Sequence, residues 1–537
     1  MRVEPPIDEE VDARRWVTLS VLCLSLLIIV MDNTILNVAI PSLMRDLDAS
    51  NSDIQWIIDA YTLVFAGLLL TTGTLSDRFG RKGALQVGIV LFALGSMAAA
   101  LSGSTIQLIA SRAFMGIGGA LIMPATLSIL TNVFRDPRER GRAIAIWAGF
   151  SGLAVAIGPV TGGLLLEHFS WSSVFWVNIP IGIVALGLGA WLIPTSRDPN
   201  QGRLDLVGAF ASIVALASLL FGIIEGPVRG WSDSIVLGSF GIGAVMLVFF
   251  IAWEFHVDEP MLDMRFFTNP RFSAANGAIT MTFFALFGSM FLMTQYWQLV
   301  HGYSPLGAGV RLIPYACTMM ITAPLSARLV ERLGTKRVIT AGLLTITAAL
   351  VTLSFIHTDT PYPRVIAVFC VMAVGMGMTM APATESVMGS LPRDKAGVGS
   401  AVNDTTRQVG GALGVAIIGS VVTSVYASRT TSLAERFGLS GDQTSGAGES
   451  LRNALDVAAT LPSQATQALF EHDVKDAFVS ALSVGLRLSA AVILVAAFVV
   501  WRFLPARSHD AFAGGHGMDH HDPRVVDTGI PVAAGGN

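Results

Sequence analysis

Apolar runs of about 20 residues, separated by short polar stretches, follow one another along nearly the whole chain. A bilayer hydrocarbon core about 30 Å thick needs about 20 apolar residues for each helical crossing. The runs predict fourteen spans. Six fall near 17–40, 54–75, 83–102, 105–130, 142–166 and 173–194, and two more near 205–225 and 234–255. The last six fall near 273–299, 305–327, 337–357, 364–390, 398–426 and 480–504. The first run is too long for a cleaved leader and reads as the first span. The expected fold class is an all-α integral membrane protein.

Composition supports this reading. Of 537 residues, 53% are hydrophobic and 13% charged, against about 25% charged in a soluble domain. The net charge of -4 decides little, but its distribution does. With the N-terminus inside, 23 of the 34 Lys and Arg fall on inside segments, 7 on outside segments and 4 (Arg112, Arg311, Arg407, Arg487) within spans. The positive-inside rule then places both termini in the cytoplasm. Cys23, Cys317 and Cys370 lie within apolar runs and imply neither a disulfide framework nor a metal site. Basic residues form no nucleic-acid footprint, no phosphate loop points to ATP, and no His-Glu-x-x-His or other catalytic cluster occurs within the spans. An enzyme, a metal centre and nucleic-acid or ATP partners are not expected. The arginine-dominated basic set (30 Arg, 4 Lys) and the short loops suggest a bacterial plasma membrane.

The second half echoes the first. Asp77-Arg78-Phe79-Gly80-Arg81-Lys82 returns as Glu331-Arg332-Leu333-Gly334-Thr335-Lys336. Pro124-Ala125-Thr126 returns as Pro382-Ala383-Thr384, Pro137-Arg138-Glu139 as Pro392-Arg393-Asp394, and Gly158 as Gly414, all at offsets of 254 to 258 residues. Spans one to six then correspond to spans nine to fourteen, with spans seven and eight inserted. Two packed six-helix halves with a site at their interface is a secondary-transporter architecture. The expected organisation is a cytoplasmic tail 1–15, a first half 16–195, an inserted pair 196–257, a second half 258–505 and a disordered cytoplasmic tail 506–537. The segment 427–479 is the one long external loop, polar and with room for a short amphipathic helix. The tail holds His509, His516, His520 and His521 among aspartates and reads as a solvated tail rather than a metal site.

Several motifs carry a resemblance. Gly73 through Lys82 resembles the major facilitator signature between spans two and three. Leu108 through Ala120, with Arg112, Gly116 and Gly118, resembles its span-four motif, with Met115 where a glutamine is often found. Gly158-Pro159-Val160-Thr161-Gly162-Gly163 resembles the antiporter motif of drug exporters. Met31 through Pro41 and Trp56 through Tyr61 resemble spans one and two of the fourteen-span EmrB/QacA type and its QacA-like branch. The resemblance covers residues 15 to 505. It implies a major facilitator fold and drug:proton antiport, driven by the proton gradient with no cofactor. It also implies a latch of Gly73, Asp77, Arg78, Gly80, Arg81 and Lys82, and a leak seal at Gly158, Pro159, Gly162 and Gly163. Asp77 could pair with Arg78 or Arg81, or meet the positive end of span thirteen.

Charges within spans are costly and mark candidate sites. At 1.5 Å per residue, Asp32, Asp59 and Arg112 lie about 12, 7–8 and 10 Å below the outer surface. A shared layer invites Arg112 to pair with one carboxylate and leaves the other for a proton or a cation, so Asp32 and Asp59 are the expected exchange residues. A helix tie for Asp32 and a water-facing side chain for Asp59 stay open. In the second half Asp404 and Arg407 stand three apart and can meet on one helix face, either as a self-satisfied pair or as a site. Glu385, near the cytoplasmic end of span twelve, is a third candidate for that second-half site or simply reaches water, and Glu225 is expected in outside solvent. Phe287, Met290, Phe291, Tyr296 and Trp297 are candidates for an adaptable cavity surface. Expected partners are small lipophilic or cationic substrates, protons and membrane lipids, with the protein a monomer. An exporter of one endogenous metabolite or lipid, and a non-transporting membrane sensor, remain alternatives.

Overall fold

A computed structural model describes residues 9–49, 51–196, 205–258, 260–392 and 395–505. The histidines of the tail, and Arg393 and Asp394 of the repeat, lie outside these residues. Among the described residues there is no strand.

The chain runs through α1 (Glu9–Asp46), α2 (Asn51–Phe79), α3 (Arg81–Ala100), α4 (Thr105–Val133), α5 (Pro137–His168), α6 (Ser173–Trp176) and α7 (Asn178–Leu192). Then follow α8 (Leu206–Arg229), α9 (Ser234–Glu254), α10 (Pro270–Gln295), α11 (Pro305–Arg311), α12 (Ile313–Leu333) and α13 (Thr335–Leu353). The last are α14 (Tyr362–Met388), α15 (Ala396–Phe437), α16 (Gly441–Glu449), α17 (Leu451–Ala459) and α18 (Gln464–Phe503). Among the described residues fourteen stretches are long and apolar enough to cross a membrane; α6 with α7, and α11 with α12, each make one. The π-helical turn Tyr296–Val300 completes the span begun by α10.

Local chemistry sets the boundaries. Gly80 (φ 112°) and Gly334 (φ 84°) occupy the left-handed region at the equivalent turns between α2 and α3 and between α12 and α13. Asp136 caps α5 by accepting from the N–H groups of Arg138 and Glu139, with Pro137 at the first turn where its missing N–H costs nothing. Those two bonds, the one from Glu139 first, hold the Asp136 carboxyl below its usual range.

Two large apolar cores result, with a small third cluster of Ala66, Leu220, Ile223 and Ala416 where α8 meets α2 and α15. One is built mainly from α1 to α7. The other is built mainly from α10 to α18, with Ala211 and Leu216 of α8 and Phe250 of α9. They meet along two seams, α2 against α15 and α5 against α12, which the repeat makes equivalent. Ala381, Met388 and Ala396 of the second half pack into the first core. This happens on the face that carries the Gly80 and Gly334 turns, called here the Asp77 face. α8 packs on both α2 and α15, so the inserted pair flanks one seam.

The long segment expected as a polar loop is largely helical. α15 and α18 run past their apolar stretches and enclose α16 and α17. Leu451, Ala454 and Ala458 are buried, and Phe437 meets Phe470 edge-on at 5.1 Å. The second core thus continues into this cap, away from the Asp77 face.

Glycine placement sets how closely helices approach. A Cβ on Gly118 would lie 2.6 Å from the Phe92 backbone nitrogen, whereas one on Gly187 meets nothing within 4 Å. Gly118→Leu is therefore expected to lower the thermal midpoint of the detergent-solubilised protein by several degrees, and Gly187→Leu to leave it within about one degree. Fluorescence-detected size-exclusion after heating measures both, and equal effects would contradict the packing.

Candidate functional site

The first polar cluster sits inside the first half. Asp32 and Arg112 are each 1% exposed and form an ion pair through Oδ2 and Nη1. The other Asp32 oxygen accepts from Asn178 Nδ2 at 2.9 Å, and that amide also donates to Ser96 at 3.1 Å. Ser96 in turn donates to the Phe175 carbonyl at 2.8 Å. Arg112 Nε donates to the Ile57 carbonyl at 3.1 Å, and its guanidinium lies 4.5 Å from the centroid of the Tyr61 ring. Helices α1, α2, α3, α4 and α7 are thus joined around one carboxylate. A charge pair out of water holds only where its remaining hydrogen-bonding positions are filled, and here most are. The Tyr61 hydroxyl is buried without a partner.

Asp59 does not enter this cluster. The expected depth is reasonable, but depth ignores azimuth. Ile57 and Tyr61 face Arg112, and Asp59 lies two residues from each, about 200° around α2. Its electrostatic neighbours are Glu225 of α8 and Gln55. Glu225, expected in outside solvent, is 5% exposed and pairs with Arg229 at 2.5 Å. The inserted helix supplies this second carboxylate, which no motif announced.

The second half carries its own cluster on α15. Asp404 Oδ1 accepts from Asn403 at 3.2 Å, while Arg407 stands off at 3.9 Å. Arg407 instead donates to Thr384 at 3.0 Å and lies over the rings of Trp147 and Phe283, at 5.2 and 5.4 Å. Glu385 is not in open water. Arg140 of α5 reaches one of its oxygens at 3.0 Å and Arg271 of α10 the other at 3.1 Å. Glu385 is thus tied to both halves by two arginines while its side chain stays partly exposed.

The expected latch residues converge. Asp77 accepts from the backbone N–H groups of Gly397 (2.9 and 2.7 Å to its two oxygens) and Val398 (3.2 Å) at the start of α15. It also pairs with Arg81 at 2.7 Å. The close approach depends on Gly73, where a Cβ would lie 2.7 Å from the Gly397 carbonyl oxygen. Lys82 donates to the Ala190 carbonyl at 2.7 Å. Arg78 lies over Phe79 and takes no part in the Asp77 contact. The repeat partner of Asp77, Glu331, pairs with Arg142 of α5 at 3.1 Å. Both acids therefore bridge the halves on the Asp77 face.

Gly158 and Gly162 pack on Thr34 and Ile35 of α1, and Gly163 meets Leu306 of α11. Pro159 stands within α5 and faces Gly309. Of the aromatic candidates, Phe287 and Phe291 are about half exposed, and Met290 packs at the edge of the second core. Tyr296 and Trp297 are buried instead of lining a cavity. Trp297 packs on Phe369 at 5.2 Å, and the Tyr296 hydroxyl donates to the His357 carbonyl at 2.8 Å. The aromatic run could not reveal which faces the π-helical turn would rotate inward. Among the described residues no group of three or more His, Cys, Asp or Glu could hold a metal.

The family model described as Major Facilitator Superfamily matches residues 22–415. The chain is 34% identical over 495 residues to the "Multidrug efflux pump LfrA" of Mycolicibacterium smegmatis, covering 92% of this chain and 97% of that one. It is 33% identical to the "Methyl viologen resistance protein SmvA" of Salmonella typhimurium, over 91% and 98% of the two chains. It is 32% identical to the "Tetracenomycin C resistance and export protein" of Streptomyces glaucescens, over 90% and 91%. Among solved structures it is similar to the human organic anion transporter MFSD10, with TM-score 0.59 at 14% identity over 93% of this chain and 100% of that one.

Removing one partner of a buried ion pair costs about 3–5 kcal/mol, whereas replacing both does not strand a charge. Arg112→Met is thus expected to destabilise more than the double variant Asp32→Asn/Arg112→Met. Thermal midpoints of the two variants check this, and a double variant as unstable as the single one would contradict the pairing.

Proposed function

We propose that this chain, which belongs to the Major Facilitator Superfamily, is a proton-coupled antiporter that exports lipophilic, mainly cationic compounds. It is a multi-pass membrane transporter with fourteen apolar crossings, and relatives that match nearly its whole length are named multidrug efflux or resistance proteins. Coupling to protons, preference for cations and the fourteen-span EmrB/QacA branch are the finer parts of the reading. The Asp77 face is read as cytoplasmic, with both termini there and the protein a monomer in the plasma membrane. The proposed boundaries of the halves and the inserted pair follow the repeat.

One observation carries the reading: the spans of the first half hold two carboxylates, Asp32 tied to Arg112 and Asn178 and Asp59 outside that cluster beside Glu225 of the inserted helix. Two carboxylates serve different ends in this scheme. Asp32 is fixed by its partners and sets the local field. Asp59, outside the Arg112 cluster and with Glu225 of α8 and Gln55 as its electrostatic neighbours, is the carboxylate that exchanges a proton for a cation. A proton neutralises a carboxylate, and a bound cation needs it charged. The two ligands therefore compete, and competition is the coupling. Alternating access then requires the Asp77 contact with α15 to open and close, while Gly158-Pro159 and Gly162-Gly163 keep α5 tight on α1 and α11 against leak.

A second reading is a dedicated exporter of one compound, supported by the relative named for tetracenomycin C export.

Ethidium uptake by sealed everted vesicles under an imposed pH gradient tests the proposal. Wild type is expected to show gradient-dependent uptake, and Asp32→Asn and Asp59→Asn to lose at least tenfold of it at equal protein level. Full-rate uptake by Asp59→Asn would remove its assigned role. No uptake of ethidium or other cationic dyes by folded wild type would leave the dedicated exporter.

A further inference from the structure

The second-half cluster holds more than a self-satisfied pair. Trp147, Asp404 and Arg407 are 0, 1 and 8% exposed, yet Trp147 Nε1, Asp404 Oδ2 and Arg407 Nε have no hydrogen-bond partner. Buried polar groups without partners are rare and ask for an explanation. These three converge on one place from both halves. Trp147 comes from α5 of the first half, Arg407 and Asp404 from α15, and Phe283 from α10 of the second. Counted from the Asp77 face at 1.5 Å per residue, Trp147, Arg407 and Phe283 all lie about 15–20 Å deep, near the middle of a bilayer.

Arg407 has two places to be. In this structure its guanidinium sits between the rings of Trp147 and Phe283, steadied by Thr384. Its own helix offers the alternative: Asp404, one turn away, has one oxygen unpartnered and the other 3.9 Å from Nη1. A guanidinium over two aromatic faces is chemically the same occupant as a planar organic cation. We propose that Trp147 and Phe283 form an aromatic cage for a planar aromatic cation at the seam between the halves. Arg407 fills the cage as a tethered competitor until substrate displaces it onto Asp404. Transfer of Arg407 to Asp404 leaves the seam's charge unchanged except for the incoming cation. It also exchanges a contact between the halves, Arg407 of α15 on Trp147 of α5, for one internal to α15. This inference rests on the cation-export reading and names the residues that recognise the cation.

Equilibrium binding of ethidium to the purified full-length protein in lipid nanodiscs, followed by fluorescence anisotropy without a gradient, tests it. Arg407→Met removes the competitor and is expected to tighten ethidium binding about tenfold. Arg407→Lys, which keeps a cation, is expected to stay within about threefold of wild type. Unmasking the Asp404 carboxylate could also attract a cation, so the deciding variant is Arg407→Met/Trp147→Leu. The cage requires that the gain disappear there, whereas a purely electrostatic gain would survive. Trp147→Phe, which keeps an aromatic face, controls for folding and is expected to retain most of the affinity. A gain that survives Trp147→Leu, an unchanged or weakened affinity in Arg407→Met, or no binding by any of these proteins overturns the cage. If the cage behaves as expected but vesicles move no dye, the export reading fails and the binding site stands. If vesicles move dye and Arg407→Met binds as wild type does, only the cage fails.

Discussion

A carboxylate placed on the backbone of a facing helix organises much of this structure. Asp77 receives the first N–H groups of α15, which no residue within that helix can satisfy. It meets the positive end of the helix dipole as well. Arg81 completes the shell, so the acid is both buried and paired. Gly73 and Gly397 have to be small for the backbones to approach. Arg142–Glu331 and Arg140–Glu385 then close the equivalent seam on the same face. Each contact can be lost as a unit, since none is a covalent or continuous apolar interface. That suits a joint required to open.

The same two helices carry the joint and the charged sites. α2 bears Asp59 and Asp77, separated by 18 residues or about 27 Å along the axis. α15 presents Gly397 to Asp77 and, about 15 Å deeper, Arg407 to Trp147. A tilt of either helix moves both ends. No chain of intermediate side chains is needed for a charge change in the middle of the bundle to be felt at the Asp77 face. The inserted α8 touches both helices and brings Glu225 to Asp59, so the insertion is placed to take part rather than only to fill space.

The fold was legible in the sequence because its signals are long: apolar runs of membrane length, alternating loop charge and a repeat with near-constant spacing. The latch was legible through the resemblance, which left the partner of Asp77 open among Arg78, Arg81 and the start of span thirteen; the last two are the ones it meets. That Arg112 pairs with a carboxylate followed from depth; which of Asp32 and Asp59 it takes did not. What depth could not supply was direction around the helix, so Asp59 was grouped with Arg112 when it faces α8. Glu225 and Glu385 looked solvent-facing because they stand near span ends, but Glu225 pairs with Arg229 on its own helix beside α2, and the partners of Glu385, Arg140 and Arg271, begin α5 and α10, helices distant in sequence. Asn178 and Ser96 went unremarked as small polar residues in apolar runs, yet they complete the Asp32 shell. Asn178 in particular is a polar residue at the start of a span, and a buried acid elsewhere was the hint that it would be needed. Tyr296 and Trp297 were hidden by a local rule, the π-helical turn, that composition does not reveal.

The most direct test of a breakable joint at the Asp77 face is a distance between the halves there. Nitroxide labels at Phe79 and Leu333, both exposed at the ends of α2 and α12, can be placed on a protein whose Cys23, Cys317 and Cys370 are replaced by serine. Double electron–electron resonance in nanodiscs then reads the separation. The account predicts a dominant short distance in the parent protein and a shift of the main population to a longer one in Asp77→Asn. Identical distance distributions in the two proteins, both folded, would contradict the claim that Asp77 holds the halves together.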